Sequence, residues 1–159
     1  MDINTVNEEM SLAEALQLRA DIKTRIAQLH SRLNDNAKVQ EGETPAEDPL
    51  RLIELLSAEC SAYEKLIRRI NLTNAATVFD GQTLTALLAR RDALSLELSI
   101  FRDFLQQASQ RIDRYSKTEI KILPTVDVTA MQKTVDAKSK ELRQLDAAIQ
   151  KLNWTTTLI

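Results

Sequence analysis

The stretch that decides the fold is TLTALLARRDALSLELSIFRDFLQQASQRIDRY, residues 83–115. Ten positions within it follow one another at alternating spacings of three and four, and nine of the ten are apolar. These positions are Leu84, Leu87, Arg91, Leu94, Leu98, Phe101, Leu105, Ala108, Ile112 and Tyr115. Only an α-helix brings such positions onto one face, and this rhythm is typical of helices that pack along their length. We call such a face a seam.

A second apolar line lies on the same predicted helix. Leu96, Ile100 and Phe104 are four residues apart, about 100° around the helix from the seam. At 1.5 Å per residue the helix would be about 50 Å long, and a helix with an apolar stripe is not stable alone in water. We therefore expect this helix to contact more than one neighbour.

The composition favours long helices and excludes several kinds of site. The 159 residues include only two Gly and three Pro, and 43% of them are hydrophobic. A net charge of −2 and a pI near 5.5 provide no basic surface for a phosphate backbone, so we predict no nucleic-acid partner. Cys60 and His30 are the single thiol and the single imidazole, too few for a zinc site or an internal disulfide. We predict no metal and no cofactor.

Start signals predict three further helices. Ser11 and Glu14 have the spacing of a capping box. Asp48-Pro49 places an N-cap residue before Pro at the first helical position, and Asp127 precedes the last apolar run. The predicted helices cover residues 12–34, 49–76, 83–115 and 128–153. We therefore predict one domain, residues 1–159, with an all-α fold: a long antiparallel bundle of four helices.

The second helix bears on self-association. Its predicted seam is Ile53, Leu56, Cys60, Tyr63, Ile67, Ile70 and Asn74. This register leaves Leu52, Leu55 and Leu66 away from the seam, as Ile100 and its neighbours are in the third helix. Sustained heptads with additional apolar surface favour association, so we predict a homo-oligomer and a protein partner. The alternative is a monomeric bundle that uses both apolar stripes internally.

One segment has the pattern of a strand. Residues 119–123 alternate, contain β-branched side chains and stop at Pro124. A strand needs a partner for its backbone groups, and Val39 lies in a similar pattern within residues 37–41. We predict that the two segments form a short two-stranded β ribbon at one end of the bundle. Irregular loops, or pairing with a second subunit, are the alternatives.

Charged residues interrupt three of the seams, at Arg19, Arg91 and Lys138. The carboxylates near enough to pair with them are those of Glu64, Asp92 and Asp146. One interpretation is that each cation reaches solvent or forms such a pair. The other is that Arg19 and Arg91 bind an anion or form an inter-subunit salt bridge, because two buried like charges are costly without one.

Polar residues gather where the second and fourth helices end. The candidate binding residues there are Asn71, Thr73, Asn74, Asn153, Trp154 and Thr155. Their amides and hydroxyls suit the capping of helix-end backbone groups. Alternatively, they form a recognition surface for a small ligand, nucleotide or anion, with Trp154 as its aromatic anchor.

Neither a catalytic residue nor a membrane segment is predicted. A Ser or Cys nucleophile needs an oriented imidazole, and His30 lies beside the seam residue Leu29. Residues 1–4 are not basic and then apolar, so we expect no signal peptide. Because no apolar run approaches the ~20 residues of a membrane span, we predict a cytoplasmic protein without a membrane partner.

Five short strings carry a resemblance to a known family. They are NAKVQEG at residues 36–42, PAEDP at 45–49, NLTNAAT at 71–77, RYS at 114–116 and NWTT at 153–156. Together they resemble small bacterial helical proteins of unknown function that are often labelled septicolysin, over residues 12–158. The resemblance implies an all-helical fold and a bacterial origin, and it transfers no catalytic residue. We expect a non-enzymatic, self-associating helical scaffold or interaction protein without a cytolysin role.

Overall fold

The computed structural model of the chain describes residues 10–110 and 123–159. Its elements in chain order are α1 (Leu12–Asp35), α2 (Pro49–Ala76), β1 (Val78–Phe79), β2 (Gln82–Thr83), α3 (Leu84–Ser109) and α4 (Val128–Thr155). The predicted all-α fold with four helices and a small ribbon is confirmed. The predicted continuation of the third helix through residues 111–115 lies outside the described residues.

The predicted caps begin three of the helices. Ser11 Oγ accepts a hydrogen bond from the Glu14 backbone N–H at 3.2 Å, and the Ser11 N–H donates to Glu14 Oε2 at 2.8 Å. At the start of α2, Asp48 Oδ1 accepts from the Leu50 N–H at 3.0 Å. Asp127 Oδ1 accepts from the Ala130 N–H at 3.0 Å at the start of α4. These short-range bonds satisfy N–H groups that a helix start leaves without partners.

The chain divides into two compact units. Unit 1 comprises Met1–Leu84 with Lys151–Ile159, and unit 2 comprises Thr85–Gln150. Unit 1 therefore holds α1, α2, the ribbon and the last turn of α4, while unit 2 holds the rest of α3 and α4. The grouping of residues 1–159 into one domain stays a prediction.

In unit 1, α1 and α2 run antiparallel. Arg25 forms a bidentate pair with Glu59, and Arg32, two turns further along α1, pairs with Glu47, which precedes α2. The buried apolar residues of this unit are Leu12, Ala15, Ile22, Leu29, Leu52, Leu66, Ile70, Leu84 and Leu158. The antiparallel direction follows from these pairs, because the later residue of α1 meets the earlier residue of the other segment.

The predicted register of α2 was wrong at alternate positions. Leu52 and Leu66 are buried, whereas Ile53 is 48% exposed and Cys60 is exposed. The two registers share Leu56, Tyr63 and Ile70 and differ by one residue elsewhere. The observed seam includes Glu59, and its carboxylate is tolerated on this face because it is paired with the guanidinium of Arg25. A paired carboxylate on the buried face makes the wrong register look more apolar in the sequence. Leu52 and Leu66 are therefore core residues and cannot form an association surface.

The described ribbon lies between α2 and α3. Val78 is opposite Thr83 and Phe79 is opposite Gln82, so Asp80 and Gly81 form a two-residue hairpin loop. Both loop residues have positive φ, 50° and 76°, as a type I′ turn requires. The strand pairing of this ribbon was not predicted from the sequence.

The predicted pairing of residues 37–41 with 119–123 would form a different ribbon from the one described above. Residues 38–40 have no strand conformation. The backbone on either side forms local bonds, from Ala37 N to Asn34 O and from Glu43 N to Gln40 O. Because residues 119–122 lie outside the described residues, this pairing stays a prediction.

In unit 2, α3 and α4 form an antiparallel pair. Arg90 Nη2 lies 2.7 Å from Glu141 Oε1, and Lys138 Nζ lies 2.8 Å from Glu97 Oε2. Its buried cluster is Leu98, Leu105 and Val135, packed by the half-buried Phe101, Val128, Met131 and Leu142. The predicted seam of α3 is confirmed, since its leucines from Leu84 to Leu105 are buried.

Candidate functional site

The carboxyl-terminal segment, residues 156–159, ties the helix ends of unit 1 together, and we call it the strap. The Leu12 N–H donates to the Thr156 carbonyl and the Leu158 N–H donates to the Met10 carbonyl, both at 2.8 Å. Ser11 and Thr157 form an antiparallel bridge between these bonds. Leu158 is buried. The start of α1 and the carboxyl-terminal residues thus meet.

Thr73 joins the strap to α2. Its side chain is fully buried, its hydroxyl donates to the Arg69 carbonyl at 2.9 Å, and it accepts from the Ile159 N–H at 3.0 Å. Arg69 Nε also donates to the Ile159 carbonyl at 2.8 Å. These bonds use the donor and acceptor capacity of Thr73 within the protein, which supports the capping interpretation of this residue. Arg69 was missed because no local pattern distinguishes it from Arg68.

The remaining polar candidates also belong to unit 1. On α2, Asn71 is exposed and Asn74 is half-buried. In the last turn of α4, Thr155 Oγ1 donates to the Lys151 carbonyl at 2.9 Å, Asn153 is half-buried and Trp154 is 68% exposed. Within residues 10–110 and 123–159, no hydrogen bond joins Asn71 or Asn74 to Asn153 or Trp154. Among the six candidates, Thr73 is the one whose side chain is hydrogen-bonded to the strap within the described residues.

The seam cations do not form a common site in either unit. Arg19 is half-buried on α1 in unit 1. Arg91 belongs to unit 2, where its guanidinium binds Asp92 Oδ1 through Nε at 2.9 Å and Nη2 at 2.6 Å. Lys138 binds Glu97 and lies 5.6 Å from the centre of the Phe101 ring. Carboxylate pairing, the first interpretation, therefore accounts for Arg91 and Lys138.

The outer side of α3 carries the second apolar line, which we call the α3 line. Leu96, Ile100 and Phe104 are 66%, 57% and 43% exposed, so the line is not covered by the described residues. Glu97 is the single charged residue within residues 93–101, and it is paired with Lys138. The exposed neighbours of the line in this stretch are alanine and serine. Asp103, which is exposed and three residues after Ile100, lies at the edge of the line. An exposed apolar line with small neighbours and few charges is typical of a contact surface.

A polar groove lies between α3 and α4 within unit 2, and the sequence analysis missed it. Its lining residues are Arg102, Leu105, Gln106, Ser109, Gln132, Val135, Asp136, Ser139 and Arg143. Arg102 Nη2 donates to Ser139 Oγ at 3.0 Å, which connects its two walls. The lining residues come from two helices and are about thirty positions apart in the sequence, so no sequence motif identifies the groove.

Acid–base and metal chemistry have little support in the described residues. The pKa of Glu47 is lowered mainly by its hydrogen bonds to Arg32, and the pKa of Glu14 is lowered by the Ser11 backbone and hydroxyl. Both shifts belong to exposed caps or ion pairs rather than to a cleft. His30 is exposed beside Asn34. No cluster of three or more His, Cys, Asp and Glu side chains suited to a metal ion occurs in the described ranges.

No helix in the described part of the chain is both long and apolar enough to cross a bilayer.

Comparisons with known proteins agree with this architecture. A solved structure described as a functionally unknown conserved protein from Corynebacterium diphtheriae is 43% identical, with a TM-score of 0.85, over 95% of this chain and 99% of that chain. No curated protein matches the chain. The profile of a family described as a family of unknown function, DUF6847, matches residues 19–158. The chain therefore belongs to the DUF6847 family.

Proposed function

We propose that this protein is a non-enzymatic helical interaction protein that associates with a second copy of itself through the α3 line. The observation that carries the proposal is the exposure of Leu96, Ile100 and Phe104 in a line along one face of a helix whose opposite face is buried. Removing such side chains from water on association contributes roughly 25 cal/mol for each Å² of apolar surface. Apolar side chains at the centre of a contact, with small residues around them, suit helix-to-helix packing.

The spacing of the α3 line favours a second copy over an unrelated partner. Ile100 stands four residues from Leu96 and four from Phe104, so the line is symmetric in position about Ile100. If two α3 helices pack antiparallel on a two-fold axis at Ile100, Leu96 of each copy faces Phe104 of the other. A two-fold contact uses the same patch on both copies and is the commonest arrangement among soluble oligomers.

We further propose a cytoplasmic location for this scaffold. We also propose that the protein is related to the bacterial proteins labelled septicolysin and that it does not act as a cytolysin. The competing function, a small-ligand or nucleotide site at the polar helix ends, has less support. Thr73 is already bound to the strap, and Arg91 is already bound to Asp92.

Light scattering after size-exclusion chromatography tests the association. We expect a mass of at least twice 18.0 kDa for the unsubstituted chain. Ile100→Glu/Phe104→Glu should give a folded species of one chain mass, because charges would be desolvated at the contact. A matched control replaces two other exposed leucines of α2, Leu50→Glu/Leu72→Glu, and should keep the larger mass.

Two results would contradict the proposal. One is a monodisperse species of one chain mass for the unsubstituted protein at micromolar concentration. The other is an oligomer whose mass is the same in the α3 double variant, with its helical circular dichroism unchanged. The first would remove self-association, whereas the second would remove the α3 line as its surface.

A further inference from the structure

We propose that the polar groove of unit 2 binds the oxyanion group of a small molecule, a carboxylate or a phosphate, between Arg102 and Arg143. The groove shares no lining residue with the α3 line. The inference is therefore independent of the self-association proposed above.

Arg102 is held across the groove by a relay of hydrogen bonds. Ser139 Oγ donates its proton to the Val135 carbonyl at 2.6 Å, which leaves its lone pairs free to accept from Arg102 Nη2 at 3.0 Å. The guanidinium of an α3 residue is thus positioned over α4. A guanidinium has five N–H donors, so most of those of Arg102 remain available to a ligand.

Arg143 lines the same groove. It follows Ser139 by four residues, so the two side chains are neighbours on one face of α4. Both Arg102 and Arg143 line the groove and both are exposed. Their positions on the two antiparallel helices place both cations toward the same end of the groove.

The described carboxylates leave this pair of cations without compensation. Asp136 is the single acid that lines the groove, and its Oδ1 accepts from Gln132 Nε2 at 2.9 Å, toward the opposite end. Neither Arg102 nor Arg143 forms an ion pair within residues 10–110 and 123–159. Arginines that do so elsewhere in these ranges are Arg25, Arg32, Arg90 and Arg91. An oxyanion between Arg102 and Arg143 would relieve their repulsion and could accept planar, paired N–H bonds.

The rest of the groove suits an organic body attached to that anionic group. Its floor is formed by Leu105 and Val135, which are buried and apolar. The amides of Gln106 and Gln132 line its sides. Apolar contact with a small number of directional polar groups is the usual composition of a small-molecule site.

Isothermal titration of the full chain with inorganic phosphate and, separately, with citrate tests the site at constant ionic strength. We expect saturable binding of at least one of these anions. Arg102→Gln/Arg143→Gln should weaken it about tenfold or more, because the charge-assisted bonds are lost. The matched control Arg51→Gln/Arg68→Gln removes two exposed arginines of α2 and should leave the affinity unchanged.

Asp136→Asn supplies a test that misfolding cannot imitate. Removing the one negative charge that lines the groove should strengthen binding about threefold. In the absence of anion, the arginine double variant should also unfold at an equal or higher temperature, since two neighbouring like charges are gone. Binding of phosphate alone would identify a phosphate ligand, and binding of citrate alone a carboxylate ligand. No saturable binding, or equal affinity in the arginine double variant, would overturn the proposal.

Discussion

The two compact units contain similar antiparallel helix pairs that are held by different interactions. Unit 1 adds directional polar contacts to its buried apolar residues: the Ser11 capping box, the Arg25–Glu59 pair and the strap bonded to Thr73. Unit 2 has its buried cluster around Leu98, with exposed ion pairs beside it. Buried hydrogen bonds specify which groups must meet, whereas apolar packing specifies volume and shape. Both units should therefore be sensitive to the loss of buried methyl groups, and unit 1 should in addition be sensitive to the loss of single polar atoms.

The largest effect is expected from shortening a core side chain of unit 2. Leu98 is 1% exposed at the centre of the buried cluster, and Leu98→Ala would leave a cavity there. We expect the free energy of unfolding to fall by about 2–5 kcal/mol. Urea unfolding followed by circular dichroism measures the change.

Leu50→Ala is the control for that variant. Leu50 is an exposed leucine of α2, so its truncation should change the free energy of unfolding by less than about 0.5 kcal/mol. Equal effects of the two substitutions would mean that the cluster around Leu98 does not behave as a packed core.

The next effect concerns the polar attachment of the strap in unit 1. Thr73→Val keeps the shape of the side chain but removes the oxygen that accepts from the Ile159 N–H and donates to the Arg69 carbonyl. We expect a loss of about 1–2 kcal/mol in the free energy of unfolding. Hydrogen exchange at the Leu158 and Ile159 amides should also become faster.

Thr134→Val is the control for Thr73→Val, because it removes a helical hydroxyl that has no bond to the strap. Thr134 is exposed on α4, and its Oγ1 donates to the Ala130 carbonyl. Its replacement should change the free energy of unfolding by less than about 0.5 kcal/mol. If Thr73→Val were equally mild, the strap would contribute little to the stability of unit 1.

A smaller effect should distinguish the partly buried ion pair of unit 1 from an exposed pair of unit 2. The Glu59 side chain is only 13% exposed and meets Arg25 through two bonds, whereas Arg90 and Glu141 are both well exposed. Glu59→Gln should cost about 1 kcal/mol, and Glu141→Gln should cost less than about 0.5 kcal/mol. Chemical denaturation at low and high salt would measure both, and a larger cost at Glu141 would reverse this part of the comparison.

The smallest effect is the acid response of the Arg32–Glu47 pair in unit 1. Because Arg32 lowers the pKa of Glu47 in the folded state, the unfolded chain binds a proton first as the pH falls. The stabilisation is therefore complete above the ordinary value of 4.5 and is lost as the pH falls through the lowered value. Glu47→Gln should flatten the stability profile as the pH falls below 4.5. Arg32→Gln should flatten it similarly, and an unchanged slope in both variants would contradict the linkage.

Much of the fold could be predicted because its signals are local. The caps at Ser11, Asp48 and Asp127 act over two or three residues, and the seam of α3 repeats within one helix. The register of α2 could not be predicted in the same way. Two seams share every second position, and the choice between them depends on Arg25 of another helix reaching Glu59. The ribbon was missed because its strands have two residues each, although Asp80-Gly81 is a hairpin signal.

The candidate site residues show the same difference between local signals and contacts across helices. Thr73 was named from its position near a helix end, but its partner Ile159 is 86 residues away in the sequence. Arg102 and Arg143 were not named, since nothing in the sequence distinguishes them from other surface arginines. Their shared groove exists only because α3 and α4 pack against each other, with Arg102 bonded to Ser139. The sequence by itself determined which segments become helices, where three of them begin, and which face of α3 is buried. Only the tertiary structure decided which polar groups meet across helices, because such contacts depend on the path of the chain and not on spacing within one segment.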